Sequence, residues 1–255
     1  MDSSSSVTEA DTNYLAVCKL AVQNAKVFET FRSHRDYNVV LEHVTEQEGQ
    51  AYWNEIQKDP STNLSKHLDE FQINDTVGGP RIFQYSFGTF SPTTLRYMKV
   101  LHDLVKIWGD LKDWVIVEIG GGYGGQCRIV KSMFRVNYNI IDLDVVCDLQ
   151  AKYLTHTKCP AWITLTPFSK PDLLPHATTV DLVISNYAFS ECNASVRQKY
   201  IELVLSQSKH GYLTINYFNA EERDTFINEM RTYGKQITIL PELPQTGPDN
   251  CIMIW

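Results

Sequence analysis

Val115-Ile116-Val117-Glu118-Ile119-Gly120-Gly121-Gly122-Tyr123-Gly124-Gly125 is the stretch that decides the fold of this chain. Its β-branched, apolar run reads as a strand buried on both faces. The run ends at a carboxylate and a cluster of glycines. Glycines there let the backbone turn through φ > 0 and let a ligand approach main-chain N–H groups that a Cβ would shield. Downstream, Tyr138-Asn139-Ile140-Ile141-Asp142 reads as a second buried strand ending in an acid, which is placed to hold a ribose diol. Strand, glycine loop, helix, strand and acid predict a nucleoside-cofactor site.

Two cofactors compete for it. Gly120, Gly122 and Gly125 satisfy the dinucleotide pattern G-x-G-x-x-G. Glu118, Gly120, Gly122 and Gly124 satisfy an acid-x-Gly-x-Gly-x-Gly pattern suited to S-adenosylmethionine (SAM). A pyrophosphate wants bare N–H groups and no nearby anion, whereas the ammonium and sulfonium of SAM are cations that a carboxylate suits. Glu118 therefore favours SAM. No Gly-Lys-Ser/Thr follows the glycines, so a phosphate-binding P-loop is excluded.

Composition narrows the class. The 255 residues are 43% apolar and 21% charged, enough for a sizeable core in one elaborated domain or two small ones. A formal net charge of −7 argues against a nucleic-acid partner. No apolar run approaches the length of a membrane span, and Met1-Asp2-Ser3-Ser4-Ser5-Ser6 is unlike a signal peptide. Six scattered cysteines without a CxxC pair read as reduced core thiols, so the expected compartment is the cytoplasm.

Periodicity predicts helices over about Thr8–Arg32 and Tyr37–Lys58, then an extended aromatic passage from Arg81 to Phe90. Ser91-Pro92 opens a further helix with Leu95, Met98, Leu101, Val105 and Trp108 as its stripe. Strands and helices then alternate. Strands are expected at Val115–Ile119, Tyr138–Leu143, Trp162–Leu165, Asp181–Ser185 and Tyr212–Phe218. Asp144 reads as an N-cap, Gly211 as a helix-ending glycine, and Asn219 with Glu222 as a capping box. The last two strands, Gln236–Leu240 and Cys251–Trp255, have no helix between them and should be antiparallel. The fold class expected is α/β: a Rossmann-like, doubly wound, mostly parallel sheet of the class I SAM-methyltransferase type. A helical N-terminal cap over residues 1–88 precedes a SAM-binding domain over 89–255.

Ser91-Pro92-Thr93-Thr94-Leu95-Arg96-Tyr97, the glycine loop, Ile141-Asp142-Leu143 and Ser185-Asn186-Tyr187-Ala188-Phe189-Ser190-Glu191 together resemble the sugar O-methyltransferase family. The resemblance covers residues 75 to 255. It implies a class I SAM enzyme that methylates a sugar hydroxyl of a glycan or glycoconjugate.

Ligands of open α/β sheets lie outside the carboxyl ends of the strands. The expected cofactor set is Glu118, Gly120, Gly121, Gly122, Tyr123, Gly124, Asp142, Leu143, Ser185 and Arg96. Asp142 holds the ribose, Leu143 packs on adenine, and Arg96 reaches the SAM carboxylate or the acceptor. Asn186, Tyr187 and Glu191 are the expected reacting centre. Glu191 either takes the acceptor's proton or is a helix N-terminal carboxylate. His102 is the histidine nearest the cleft; His176 falls in the loop before the fourth strand. No histidine spacing or carboxylate cluster implies a metal. Two other classes stay open, an NAD-dependent oxidoreductase or epimerase and a non-catalytic SAM-fold protein.

Overall fold

In the computed structural model the described residues are 9–171, 179–216 and 218–255. His176, Tyr217 and the serine-rich start lie outside them.

The N-terminal helices are more broken than periodicity predicts. α1 (Glu9–Gln23) stops before Asn24, whose side chain accepts from the N–H groups of Lys26 and Val27 and starts α2 (Ala25–Phe28). An asparagine satisfies the free amides of a new helix better than it continues an old one. α3 (Arg35–Asn38) is a single turn, and α4 (Glu46–Gln57) begins at a capping box of Thr45 and Glu48. That box divides the helix expected over Tyr37–Lys58 and leaves residues 39–45 as a connecting segment. α5 (Leu68–Gln72) follows, then β1 (Phe83–Tyr85) and β2 (Gly88–Phe90), an antiparallel pair. α6 (Pro92–Trp108) starts where expected, with Ser91 Oγ accepting from the Thr94 N–H.

The alternating units then run β3 (Val115–Ile119), α7 (Gly125–Met133), β4 (Asn137–Asp142), α8 (Asp144–His156), β5 (Ile163–Pro167) and β6 (Leu182–Asn186). They continue with α9 (Ala188–Glu191), α10 (Ala194–Leu203), β7 (His210–Ile215), α11 (Ala220–Thr232), β8 (Thr238–Pro241) and β9 (Cys251–Ile254). Among the described residues the main sheet has the order β5-β4-β3-β6-β7-β9-β8. β3 to β7 pair in parallel, and β9 is antiparallel to both β7 and β8. The order reverses between β3 and β6, which opens a crevice at their carboxyl ends.

Two local expectations change. Asp144 is the first residue of α8, not its cap, and its carboxylate accepts from Ser169 Oγ at 2.8 Å. Gly211 lies inside β7 and ends no helix; a Cβ there would come 2.2 Å from the Trp255 ring, which packs flat on the bare backbone.

Strand alternation sends side chains to two cores. Ile116, Tyr138 and Ile140 face Leu101, Cys127 and Leu149 from α6, α7 and α8, together with Phe31 and Tyr37 from the N-terminal region. Val117, Ile119, Val183 and Leu213 face Ile201, Phe226 and Met230 from α10 and α11. The N-terminal helices thus share their core with one face of the sheet. Each fully buried ring contributes about 1.5–3 kcal/mol to holding them there.

Candidate functional site

β3 ends in a turn that only glycine accepts easily. Gly120, Gly122 and Gly124 have φ of 71°, 55° and 95°. The Gly120 N–H donates to the Ile141 carbonyl at 2.9 Å, which ties the turn to β4. The space above these glycines is taken by the chain itself. A Cβ on Gly120 would stand 2.2 Å from Ala188 Cβ, and one on Gly122 would stand 2.9 Å from Leu41 Cδ1.

The acid at the tip of β4 joins the turn. The Asp142 carboxylate accepts from Leu143 N–H at 2.8 Å and from Gln150 Nε2 at 2.9 Å, and the nearby amides of Gly121 and Gly122 favour its charged form. Burial nevertheless outweighs these donors and pushes Asp142 up to about 7. Leu143 beside it keeps 48% of its surface exposed.

Glu118 turns under the loop, not into the crevice. It is 1% exposed, takes a hydrogen bond from Tyr138 Oη at 3.1 Å, and lies 3.1 Å from where a Gly121 Cβ would be. Burial pushes its carboxyl up to about 8, so the acid that favoured a cationic ligand holds its proton at neutral pH in this arrangement. Tyr123 also points inward. Its ring packs under the Arg32 guanidinium at 4.4 Å and against Tyr97 and Tyr153.

At β6 the expected residues divide. Ser185 is fully buried; its Oγ donates to the Ile119 carbonyl at 3.1 Å and accepts from Phe189 N–H at 3.0 Å, locking the β6 tip to β3. Asn186 Oδ1 is buried without a partner among the described residues. Tyr187 sits at φ 71°, ψ −36°, and its hydroxyl donates to Glu242. Glu191 is exposed at the end of the short α9, where Asn216 Nδ2 donates to it at 2.8 Å. In this four-residue helix it is at once the last residue and the acid of the first turn. His102 hydrogen-bonds Thr62 Oγ1 at 3.0 Å and is not among the residues lining the crevice at β6.

Arg96 is 7% exposed and has no carboxylate within ion-pair distance among the described residues. Its Nη2 donates to the Leu41 carbonyl at 3.4 Å, its Nε has no partner there, and its guanidinium faces the rings of Tyr97 and Tyr187. A buried cation left this way is costly unless a ligand completes it.

Tyr52, Glu242 and Thr246 were missed from sequence. Tyr52, Arg96, Asn186, Tyr187 and Glu242 surround a cavity of about 20 Å³, room for roughly one water. A larger cleft of about 490 Å³ is lined by Arg128, Lys131, His156 and Lys158. Lys131 lies in the last turn of α7 and Lys158 just beyond the end of α8, where positive charge offsets the helix dipole. Among the described residues no cluster of His, Cys, Asp or Glu could hold a metal ion, and no helix is long and apolar enough to cross a membrane.

The residues fit SAM. A left-handed glycine turn meets an acid at the next strand tip, an exposed leucine lies beside that acid, and a buried arginine has an orphaned donor. Leu41 must leave the space over Gly122 for the fit to be used.

No protein-family model and no curated protein matches the sequence. Among solved structures, a methyltransferase from Pyrococcus furiosus is 14% identical, over 76% of this chain and 97% of that one, with a TM-score of 0.49. An rRNA methylase from Streptococcus thermophilus is 14% identical, over 62% and 95%, with a TM-score of 0.46. A precorrin 8w decarboxylase from Methanobacterium thermoautotrophicum is 17% identical, over 62% and 88%, with a TM-score of 0.45. The chain's own strand order and terminal antiparallel pair make it an α/β protein with a Rossmann-like sheet of the class I SAM-methyltransferase type.

Proposed function

We propose that this chain is a SAM-dependent O-methyltransferase that acts on a sugar hydroxyl of a glycan or glycoconjugate. The observation that carries the reading is the left-handed glycine turn after β3 beside the acid Asp142 at the tip of β4, next to the point where strand order reverses. Asp142 takes the ribose hydroxyls, Leu143 covers the adenine, and Arg96 receives the carboxylate of the methionine part. Bound SAM supplies a methyl group already activated by its sulfonium.

The chain's task is alignment and exclusion of water, which can be worth several kcal/mol of barrier. Tyr187 and Asn186 stand at the β6 tip, where donor and acceptor meet, and Glu191 flanks them. The sugar acceptor rests on the family resemblance and on this mix of aromatic faces with hydrogen-bonding groups. The test is incubation with methyl-labelled SAM and a panel of deoxysugar-containing glycans, followed by linkage analysis. Label in a sugar ether supports the reading; label in no sugar contradicts it.

One observation favours a second reading, a SAM-fold protein that turns nothing over. Ala188 and Leu41 fill the glycine cradle. The two readings separate on whether the chain transfers label from SAM; the second predicts no cofactor binding or no turnover.

A further inference from the structure

The β6 tip carries a hydrogen-bonded chain that holding a methyl donor does not require. Tyr187 has φ 71° and ψ −36°, a conformation unfavourable for a tyrosine that persists only where its surroundings hold it. The phenol is what is held. Its Oη donates to Glu242, lies 3.3 Å from Thr246 Oγ1 and shares the lining of the small cavity with Tyr52. Glu242 is fixed in turn. Its Oε2 accepts from Thr246 N–H at 2.9 Å and from Thr246 Oγ1 at 2.7 Å, and Asn250 Nδ2 donates to that same Oγ1 at 2.8 Å. Glu242 is only 4% exposed, so an acceptor cannot touch it. Tyr187 keeps part of its surface open, next to the unpartnered Oδ1 of Asn186.

We propose that Tyr187 and Glu242 form a proton relay for the acceptor hydroxyl. As the acceptor oxygen bonds to the methyl carbon, its proton passes to Tyr187 Oη and the phenol's own proton passes to the Glu242 carboxylate. The methyl–sulfur bond breaks and its electron pair stays on sulfur. A sulfonium and a carboxylate become a thioether and a carboxylic acid, so charge balances. Tyr187 touches the acceptor and is catalytic; Glu242 acts through it and is a positioning residue. Around the pair stand Tyr52 on α4, Arg96, Lys99 and Asp103 on α6, and Tyr212 on β7. Lys99 and Tyr212 are both bound to Asp103 at 2.7 Å, which leaves Arg96 as the cation facing the pair. Burial, with Tyr52 and Glu242 close by, raises the Tyr187 pKa, so the phenol gives up its proton only as it gains another.

The relay rests on the methyltransferase reading, and the experiment separates the two. Full-length wild type, Y187F, E242Q and E242D are titrated with S-adenosylhomocysteine and assayed with labelled SAM and the deoxysugar glycans. Each chain, labelled with [¹³C]tyrosine at Cζ, also gives a carbon spectrum with no ligand present. The relay predicts kcat lowered about 10²–10⁴-fold in Y187F and E242Q, with acceptor KM and S-adenosylhomocysteine affinity within about twofold of wild type. E242D regains part of the loss. The Cζ signal that disappears in Y187F shifts in E242Q. Unchanged kcat in E242Q, an unshifted signal, or loss of cofactor affinity in step with kcat overturns the relay alone. No binding or transfer by the wild type overturns the methyltransferase reading and the relay with it.

Discussion

Leu41 sits on Gly122: a Cβ built on that glycine would lie 2.9 Å from Leu41 Cδ1. The leucine belongs to residues 39–45, and its carbonyl is held by Arg96 Nη2 and Thr93 Oγ1 at 3.4 Å each. Both bonds are long. The Leu41 side chain is thus the group a cofactor would displace, while Glu42 beside it stays tied to Arg32. Leu41→Ala should speed S-adenosylhomocysteine association in stopped-flow fluorescence and lower thermal stability by about 1–2 kcal/mol. Association slower than wild type would contradict the cover.

Gly120 is the stricter position. Its φ of 71° and the 2.2 Å approach of Ala188 both exclude a side chain. Gly120→Ala should abolish cofactor binding by calorimetry. It should cost more stability than Gly234→Ala, where φ is 76° but nothing lies within 4 Å. Equal losses of stability at the two sites would show that packing at Gly120 does not matter.

Arg32 ties the N-terminal region to the glycine loop. It is fully buried, bonds Glu42 at 2.6 Å and Asp75 at 3.3 Å, and lies over the Tyr123 ring. Removing Glu42 leaves the buried Arg32 with only the longer Asp75 contact to offset its charge. Glu42→Gln should lower unfolding free energy by about 3–5 kcal/mol in urea melts. A loss below about 1 kcal/mol would place the pair among weak surface contacts.

The centre of the sheet was legible because β3, β4, β6 and β7 are largely apolar runs closed by a glycine, acid or asparagine. The N-terminal helices were less so, since Asn24 and Thr45 sit inside otherwise periodic stretches and only their side-chain bonds reveal the breaks. Within the candidate site, the glycine turn and Asp142 could be read locally. Tyr52, Arg96, Tyr187 and Glu242 come from four distant parts of the chain, and no local pattern marks their convergence. The inward turn of Glu118 follows from strand alternation at β3, which sends it to the same face as Ile116.

Burial raises Glu118 to about 8 and Asp142 to about 7. The folded chain therefore keeps protons that the unfolded chain loses at ordinary carboxylate pKa values, and stability falls as pH rises through 7 and 8. Tm should be higher at pH 5 than at pH 8, and Glu118→Gln should flatten that slope. A Tm that rises from pH 5 to pH 8, or a slope that Glu118→Gln leaves unchanged, would contradict this.

The most direct measurement is isothermal titration of the full-length chain with S-adenosylhomocysteine, with NAD as the control. The account predicts saturable one-to-one binding of S-adenosylhomocysteine that Gly120→Ala abolishes, and no heat with NAD. Binding of NAD alone, or of neither, would contradict it.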